Sequence, residues 1–136
     1  MINTNIILNV YKEKSLASPL STQLLYGDKF KIIKKYGKFT KIKTEYDNYV
    51  GYIKTKKFRK DLKITHKISK LSANLYSKPN KKFMLSKKIS FCSLIEVKNK
   101  KKNFLNFDKY WINKKDVYPI KKTDLLFSKI KMFKNI

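Results

Sequence analysis

Residues 26–54 read YGDKFKIIKKYGKFTKIKTEYDNYVGYIK, and this stretch gives the strongest indication of the fold. Short apolar runs alternate with turns, one containing Gly37 and another containing Asp47 and Asn48, whose short side chains suit turn backbone. The runs between the turns predict three strands: Phe30 and Ile32 share one strand face, Thr40 and Ile42 share another, and residues Val50 to Ile53 form a third apolar stretch. So short an antiparallel sheet must close or be covered to protect its edges. The stretch therefore predicts a small β-barrel.

The composition is that of a folded protein. Of the 136 residues, 42% are hydrophobic and 14% aromatic, which is enough for a packed core despite the charge. Cys92 is the single cysteine, so an internal disulfide is impossible and a disulfide-stapled secreted scaffold is excluded. The N-terminus does not have the pattern of a signal peptide, and no apolar run is as long as a membrane span. We expect a cytoplasmic monomer.

The net charge of +25 comes from lysine, with Arg59 as the single arginine. One interpretation is a polyanionic partner, namely nucleic acid, an anionic membrane or a cell-wall polymer. The favoured interpretation is codon bias, because Lys, Asn and Ile have AT-rich codons and one arginine is too few for base readout. Residues 1–57 carry +8 and residues 58–136 carry +17, so the excess is steeper in the second half.

A second copy of the unit follows at a constant offset of 65 residues. LNVY at 8–11 matches ANLY at 73–76, and Gly51 to Ile53 matches Tyr110 to Ile112 if the second copy lacks six residues in the preceding loop. Five further pairs keep the offset: Tyr26 and Phe91, Phe30 and Ile95, Ile32 and Val97, Phe39 and Phe104, and Ile42 and Phe107. The predicted fold class is all-β, with two tandem small barrels.

Polar residues 55–63 are interpreted as a linker, which places the first domain at residues 2–57 and the second at 64–118. Residues 119–136 form the predicted C-terminal segment. Leu126, Ile130 and Phe133 form an apolar helical stripe there, which predicts a short helix. The stripe continues to Ile136 without a C-cap, so we expect that further sequence belongs beyond it.

Five stretches of the first copy read LNVY, SLASPLST, GDKF, GKFTKI and VGYI in chain order. They resemble the bacterial SH3-like domain, whose pattern is Leu-Asn-Val-Arg, a proline-containing loop, Gly-Asp-x-Phe, Gly-x-Trp-Tyr-Lys-Val and Gly-Tyr-Val. Tyr11 replaces the arginine, and Phe39 with Thr40 replaces the Trp-Tyr pair. The resemblance therefore implies the fold more strongly than a particular ligand.

Two such domains in tandem, the first carrying YDNYVGYI, are similar to the N-terminal part of NlpC-type cysteine peptidases, which cut peptidoglycan stem peptides. The resemblance covers about residues 5–118. It implies that a papain-like catalytic domain follows the pair, and that the first domain helps to hold the muropeptide. FSKIKMFKNI at 127–136 resembles the start of that domain, but the Asp-Cys-Ser nucleophile motif is absent. We therefore expect no catalytic residue in this chain, which is then not an enzyme by itself.

Cys92 and His66 are the one pair from which a thiol nucleophile and its base could be built. Cys92 lies inside a predicted strand in ISFCSLIEV without a preceding aspartate, so a buried structural thiol is the favoured interpretation. One cysteine and one histidine do not make a metal site, and three glycines do not make a phosphate loop. No cofactor is expected.

Tyr46, Asp47, Tyr49 and Tyr52 are the candidate ligand residues. Aromatic rings beside one carboxylate could stack on a peptide and take its amino terminus. Cross-strand pairing is the alternative, and it is favoured for Tyr52, whereas Tyr46 and Tyr49 lie in a loop that only the first copy has.

The leading hypothesis is a non-catalytic module that positions peptidoglycan-derived peptides for an NlpC-type peptidase, whose domain is encoded separately or lost. The alternatives are a nonspecific nucleic-acid binder and a peptide-docking SH3-like adaptor. The basic run KNKKKNF at 98–104 is interpreted as a solvated hairpin tip.

Overall fold

The computed structural model describes residues 1–120, and these residues form an all-β fold, as predicted. The chain divides into two compact parts, Met1–Leu62, called unit 1, and a part that begins at Lys63, called unit 2. The predicted C-terminal helix lies outside the described residues. Within residues 1–120, no helix has the length and apolar character needed to cross a membrane.

Unit 1 contains a five-stranded antiparallel sheet in the order β2-β1-β5-β4-β3. Its strands are β1 (Ile7–Tyr11), β2 (Leu20–Leu25), β3 (Phe30–Tyr36), β4 (Phe39–Thr44) and β5 (Val50–Lys54). The three strands predicted from residues 26–54 are thus present. The turn between β3 and β4 contains Gly37 at φ +69°, a left-handed conformation that glycine adopts without steric cost.

Strand alternation builds the core of unit 1. Leu8 and Val10 on β1, Ile42 on β4 and Ile53 on β5 are buried, while the residues between them point to the other face. The buried cluster consists of Leu8, Val10, Leu24, Phe30, Ile42 and Ile53. Burying apolar side chains on one face contributes about 1.5–3 kcal/mol for each large residue, so this face holds the sheet together.

Two segments outside the five strands complete unit 1. Ile2 forms antiparallel bridges to both Lys29 and Arg59. The ring of Phe58 packs edge-on against Phe30, with centroids 4.9 Å apart. Phe58 and Arg59 belong to the stretch that the sequence suggests is a linker, and they lie on unit 1 because these contacts hold them there.

Unit 2 has a five-stranded sheet in the order β10-β11-β12-β7-β8 and a three-stranded sheet in the order β13-β6-β9. The strands are β6 (His66–Ile68), β7 (Ser72–Tyr76), β8 (Met84–Ser90), β9 (Leu94–Ile95), β10 (Asn99–Lys101), β11 (Phe104–Phe107), β12 (Tyr110–Asn113) and β13 (Val117–Pro119). Single turns of 3₁₀-helix, Lys81–Phe83 and Lys114–Asp116, precede β8 and β13.

The larger sheet of unit 2 repeats the strand order of unit 1, because β7, β8, β10, β11 and β12 take the places of β1, β2, β3, β4 and β5. The small sheet repeats the bridges of Ile2, since Lys67 pairs with Leu94 and Tyr118 as Ile2 pairs with Lys29 and Arg59. The core also recurs: buried in unit 2 are Ala73, Leu75, Ile89, Ile95, Phe107 and Ile112. Similar apolar positions therefore select the same small barrel twice.

The hairpin between the last two strands of the larger sheet differs between the units. Phe39 pairs with Lys54 in unit 1, whereas Phe104 pairs with Asn113 in unit 2. The second hairpin is consequently six residues shorter, and the missing part corresponds to the tip that carries Tyr46, Asp47 and Tyr49. Three of the four candidate ligand residues are thus confined to an extension that unit 2 lacks.

Candidate ligand-binding site

Thr44 organises the tip of the β4–β5 hairpin in unit 1. Its side chain is 3% exposed, and its hydroxyl donates a hydrogen bond to the carboxylate of Asp47. The backbone N–H of Tyr49 donates to the same hydroxyl at 2.9 Å, and the N–H of Thr44 donates to the carbonyl of Tyr49 at 2.8 Å. Asn48, at φ +54°, takes the left-handed position that Asn tolerates well. Asp47 and Tyr49 are therefore held in a defined turn.

Tyr46 is half-buried between this turn and the loop before β3. Burial raises the pKa of its hydroxyl, and the negative charges of Asp28 and then Glu45 raise it further. The N–H of Glu45 donates to the carbonyl of Lys29 at 3.2 Å, which joins the two loops. Asp28 and Glu45 thus lie near Tyr46 at the hairpin end of unit 1, and Asp47 is the next residue along the chain. This end suits a positively charged group such as the amino terminus of a peptide.

Tyr52 lies in a different place from the other three candidates. It is on the outer face of β5, opposite Lys41 of β4 and Tyr11 of β1. Its ring contacts Tyr36, with centroids 6.2 Å apart and planes at 61°. The structure therefore divides the predicted set: Tyr46, Asp47 and Tyr49 lie at the hairpin tip, and Tyr52 lies in the sheet.

Tyr52 is one of four aromatic residues on the outer face, which we call the aromatic group: Tyr11, Tyr36, Phe39 and Tyr52. Tyr11 and Phe39 also meet edge to face, with ring centroids 6.5 Å apart. Tyr11 and Phe39 stand where the sequence departs from the SH3-like motif, and Tyr36 is not among the predicted ligand residues. The residue pattern does indicate this position: side chains alternate along a strand, and Thr40 and Ile42 are buried, so Phe39 points to the outer face.

The equivalent aromatic pair of unit 2 is buried. Tyr76 and Phe104 pack edge-on with centroids 5.1 Å apart, and each is 7% exposed. Trp111 lies opposite Tyr76 and Asn106 and is half-buried. Tyr11 and Phe39 are only half-buried, so unit 1 presents an aromatic surface where unit 2 has core-like packing.

Cys92 and His66 serve the structure of unit 2. The Cys92 thiol is free and 1% exposed, and its N–H donates to the carbonyl of Ile68 at 3.0 Å. The Nδ1 atom of His66 lies 2.8 Å from the hydroxyl of Thr65, and burial lowers the pKa of His66. Residues 1–120 contain no group of three or more side chains that could hold a metal ion.

Two tandem antiparallel small barrels, the first with an aromatic outer face and an extended hairpin, define an SH3-like protein. Residues 10–58 match the family model of the bacterial dipeptidyl-peptidase SH3 domain, which describes an SH3 domain and not a catalytic one. Over these residues, unit 1 is thus similar to bacterial SH3 domains.

The chain also resembles the solved structure of an NlpC/P60 family protein from Bacillus cereus ATCC 10987. The TM-score is 0.68 at 13% sequence identity, and the match covers 88% of this chain and 56% of that protein. No curated protein sequence matches the chain. At this identity the likeness shows the fold. Together with the family match, it confirms the predicted resemblance to the SH3-like N-terminal part of NlpC/P60 proteins.

Proposed function

We propose that this chain is a non-catalytic binding module that positions peptidoglycan stem peptides for an NlpC-type cysteine peptidase domain. The match to a peptidase-associated SH3 domain supports an association with such enzymes. One observation supports the peptide itself as ligand: the hairpin tip of unit 1 joins ordered aromatic residues to carboxylates, although the whole chain carries +25.

Recognition at the tip follows from the chemistry of its side chains. Asp47 is exposed, and its carboxylate is fixed by Thr44, so it can pair with the free ammonium group of a peptide. Tyr49 is 36% exposed and offers a ring on which a short peptide can lie. The Tyr46 hydroxyl is neutral at physiological pH, as in any tyrosine, and can donate a hydrogen bond. Tyr52 extends the contact surface toward the sheet.

The two domains, at residues 2–57 and 64–118, have unequal roles in this proposal. Unit 2 lacks the hairpin extension and encloses its aromatic pair. Unit 1 therefore holds the peptide in this proposal, and unit 2 connects it to the peptidase domain.

The test is a titration of the isotope-labelled full chain with a stem tripeptide, followed by NMR. We expect shifts centred on residues 44–52, and at least tenfold weaker binding for Asp47→Asn. A tripeptide with an acetylated amino terminus should bind equally weakly, because the ammonium group is the proposed partner of Asp47.

Matched controls separate this site from general charge effects. Asp61→Asn removes the same charge at an exposed position of unit 1 outside the hairpin and should leave binding unchanged. If millimolar tripeptide gives no shifts, or if both aspartate variants weaken binding equally, the proposal is wrong.

A further inference from the structure

Four lysines oppose one another in pairs on the outer face of unit 1. Lys31 of β3 lies directly opposite Lys43 of β4, and Lys34 lies opposite Lys41. We call these four residues the lysine face. The five strands of unit 1 contain six lysines and no acidic residue, so no neighbouring strand brings a carboxylate to this surface.

A β-bulge creates this arrangement. The register shifts between Ile32 and Lys34, which leaves Ile33 as the extra residue. Without the shift, Lys34 would have the same parity as Ile32 and would point to the opposite face from Lys31. The bulge instead places Lys31 and Lys34 side by side, each facing a lysine of β4.

Like charges directly opposite each other on neighbouring strands destabilise a sheet, because their side chains lie only about 5 Å apart at Cβ. The repulsion is relieved when an anion binds between them. Two such pairs follow each other along the hairpin at a spacing on the order of 7 Å, which is two strand residues. The surface is thus complementary to a chain of regularly spaced negative charges.

Two aromatic residues extend the lysine face along the same two strands, β3 and β4. Tyr36 lies opposite Phe39, two residues beyond the pair of Lys34 and Lys41 and on the same face of the hairpin. The ammonium groups of Lys14 and Lys34 lie 4.3 Å and 5.2 Å from the centre of the Tyr36 ring. Tyr36 is 38% exposed, so part of the ring remains open to a ligand.

We propose that the lysine face, with Tyr36 and Phe39, binds single-stranded nucleic acid without sequence preference. Lysines along a backbone and rings that stack with bases are the two elements of such sites. Lysine acts as a point charge and lacks the rigid fork with which arginine recognises base edges, so we expect binding without sequence preference. The rings favour nucleic acid over a polyphosphate, which has no base to stack. This surface has the opposite charge to the acidic hairpin tip, and Tyr52 borders both. The proposal does not depend on peptide binding at the tip.

The test measures fluorescence anisotropy of a labelled oligo-dT of about 12 nucleotides with the full chain. In one variant the four residues of the lysine face are changed to Gln. In the control variant, four exposed lysines of unit 2 are changed to Gln, namely Lys81, Lys82, Lys87 and Lys88. Both variants lose the same charge, and the first should remain folded because the substitutions remove repulsion; circular dichroism checks this.

We expect the lysine-face variant to lose about tenfold or more in affinity near 50 mM salt, whereas the control loses little. For the lysine-face variant, the slope of log affinity against log salt should be flatter by about 3, since each of the four lost phosphate contacts contributes about 0.7 in single strands. No binding near 50 mM salt, or equal losses in the two variants, would overturn the proposal.

A second variant tests the rings. Tyr36→Leu should weaken oligo-dT binding about fivefold and leave polyphosphate binding unchanged, because stacking needs a base. The control is Tyr118→Leu, at an exposed tyrosine of unit 2, which should change neither. If Tyr36→Leu leaves oligo-dT binding unchanged, or polyphosphate binds as tightly as oligo-dT, the assignment to nucleic acid is wrong.

Discussion

Gly27 and Cys92 occupy the same turn in the two units, and both have left-handed backbone, at φ +88° and +73°. The N–H of Gly27 donates to the carbonyl of Asn3 at 2.7 Å, and the N–H of Cys92 donates to the carbonyl of Ile68 at 3.0 Å. The turn thus has a conformation that suits glycine, and unit 2 holds a cysteine there. For a residue with a side chain, this conformation costs about 1–2 kcal/mol of stability.

Replacing Cys92 by Gly should therefore give a more stable protein than replacing it by Ala. Both substitutions remove the buried thiol, but only glycine relieves the backbone. We expect the free energy of unfolding of Cys92→Gly to exceed that of Cys92→Ala by about 1 kcal/mol in urea denaturation. The reverse order would show that packing of the added methyl group outweighs the strain.

Gly51 is required for a different reason, since its backbone is approached closely. A Cβ atom there would lie 2.6 Å from Cγ1 of Val10 and 2.9 Å from the backbone oxygen of Tyr11. Gly51→Ala should destabilise unit 1 by about 2 kcal/mol or more, because the core must shift to admit the methyl group.

The matched control for Gly51→Ala is Gly37→Ala. A Cβ atom at Gly37 meets nothing within 4 Å, so this variant suffers only the left-handed strain of about 1 kcal/mol. Thermal unfolding of the two variants provides the comparison. An equal or larger loss in Gly37→Ala would contradict the packing argument.

Tyr46 should make the protein sensitive to alkaline pH. Its folded pKa is raised by burial and by Asp28 and Glu45, so the folded state keeps the proton that the unfolded state loses near pH 10. The stabilisation is complete below about pH 10 and is lost as pH rises beyond it. The unfolding free energy of the wild type should consequently fall faster above pH 10 than that of Tyr46→Phe.

Urea denaturation of both proteins between about pH 8 and 11.5 measures the difference. Lysine deprotonation affects wild type and variant alike and so cancels in the comparison. Tyr118→Phe, at an exposed position, should follow the wild type. Parallel pH profiles for wild type and Tyr46→Phe would contradict the environment that the structure gives this hydroxyl.

The all-β class and the strand alternation follow from the residue pattern alone. Strands have a period of two, so the buried positions Ile42 and Ile53 can be read directly from the residue pattern. The offset of 65 residues also identifies corresponding turns. Gly37 and Lys102 are related by this offset, and both have positive φ. Residue patterning and turn chemistry act over only a few residues, so strands and turns can be predicted from a single sequence.

Which side chains come into contact depends on the tertiary structure. Tyr46 and Asp28 are 18 residues apart and come together only because β3 and β4 pair in one register. The lysine face depends on a bulge, which the run of Lys31 to Lys35 does not reveal. A one-residue change in register moves a side chain to the opposite face of the sheet, and cross-strand contacts set that register.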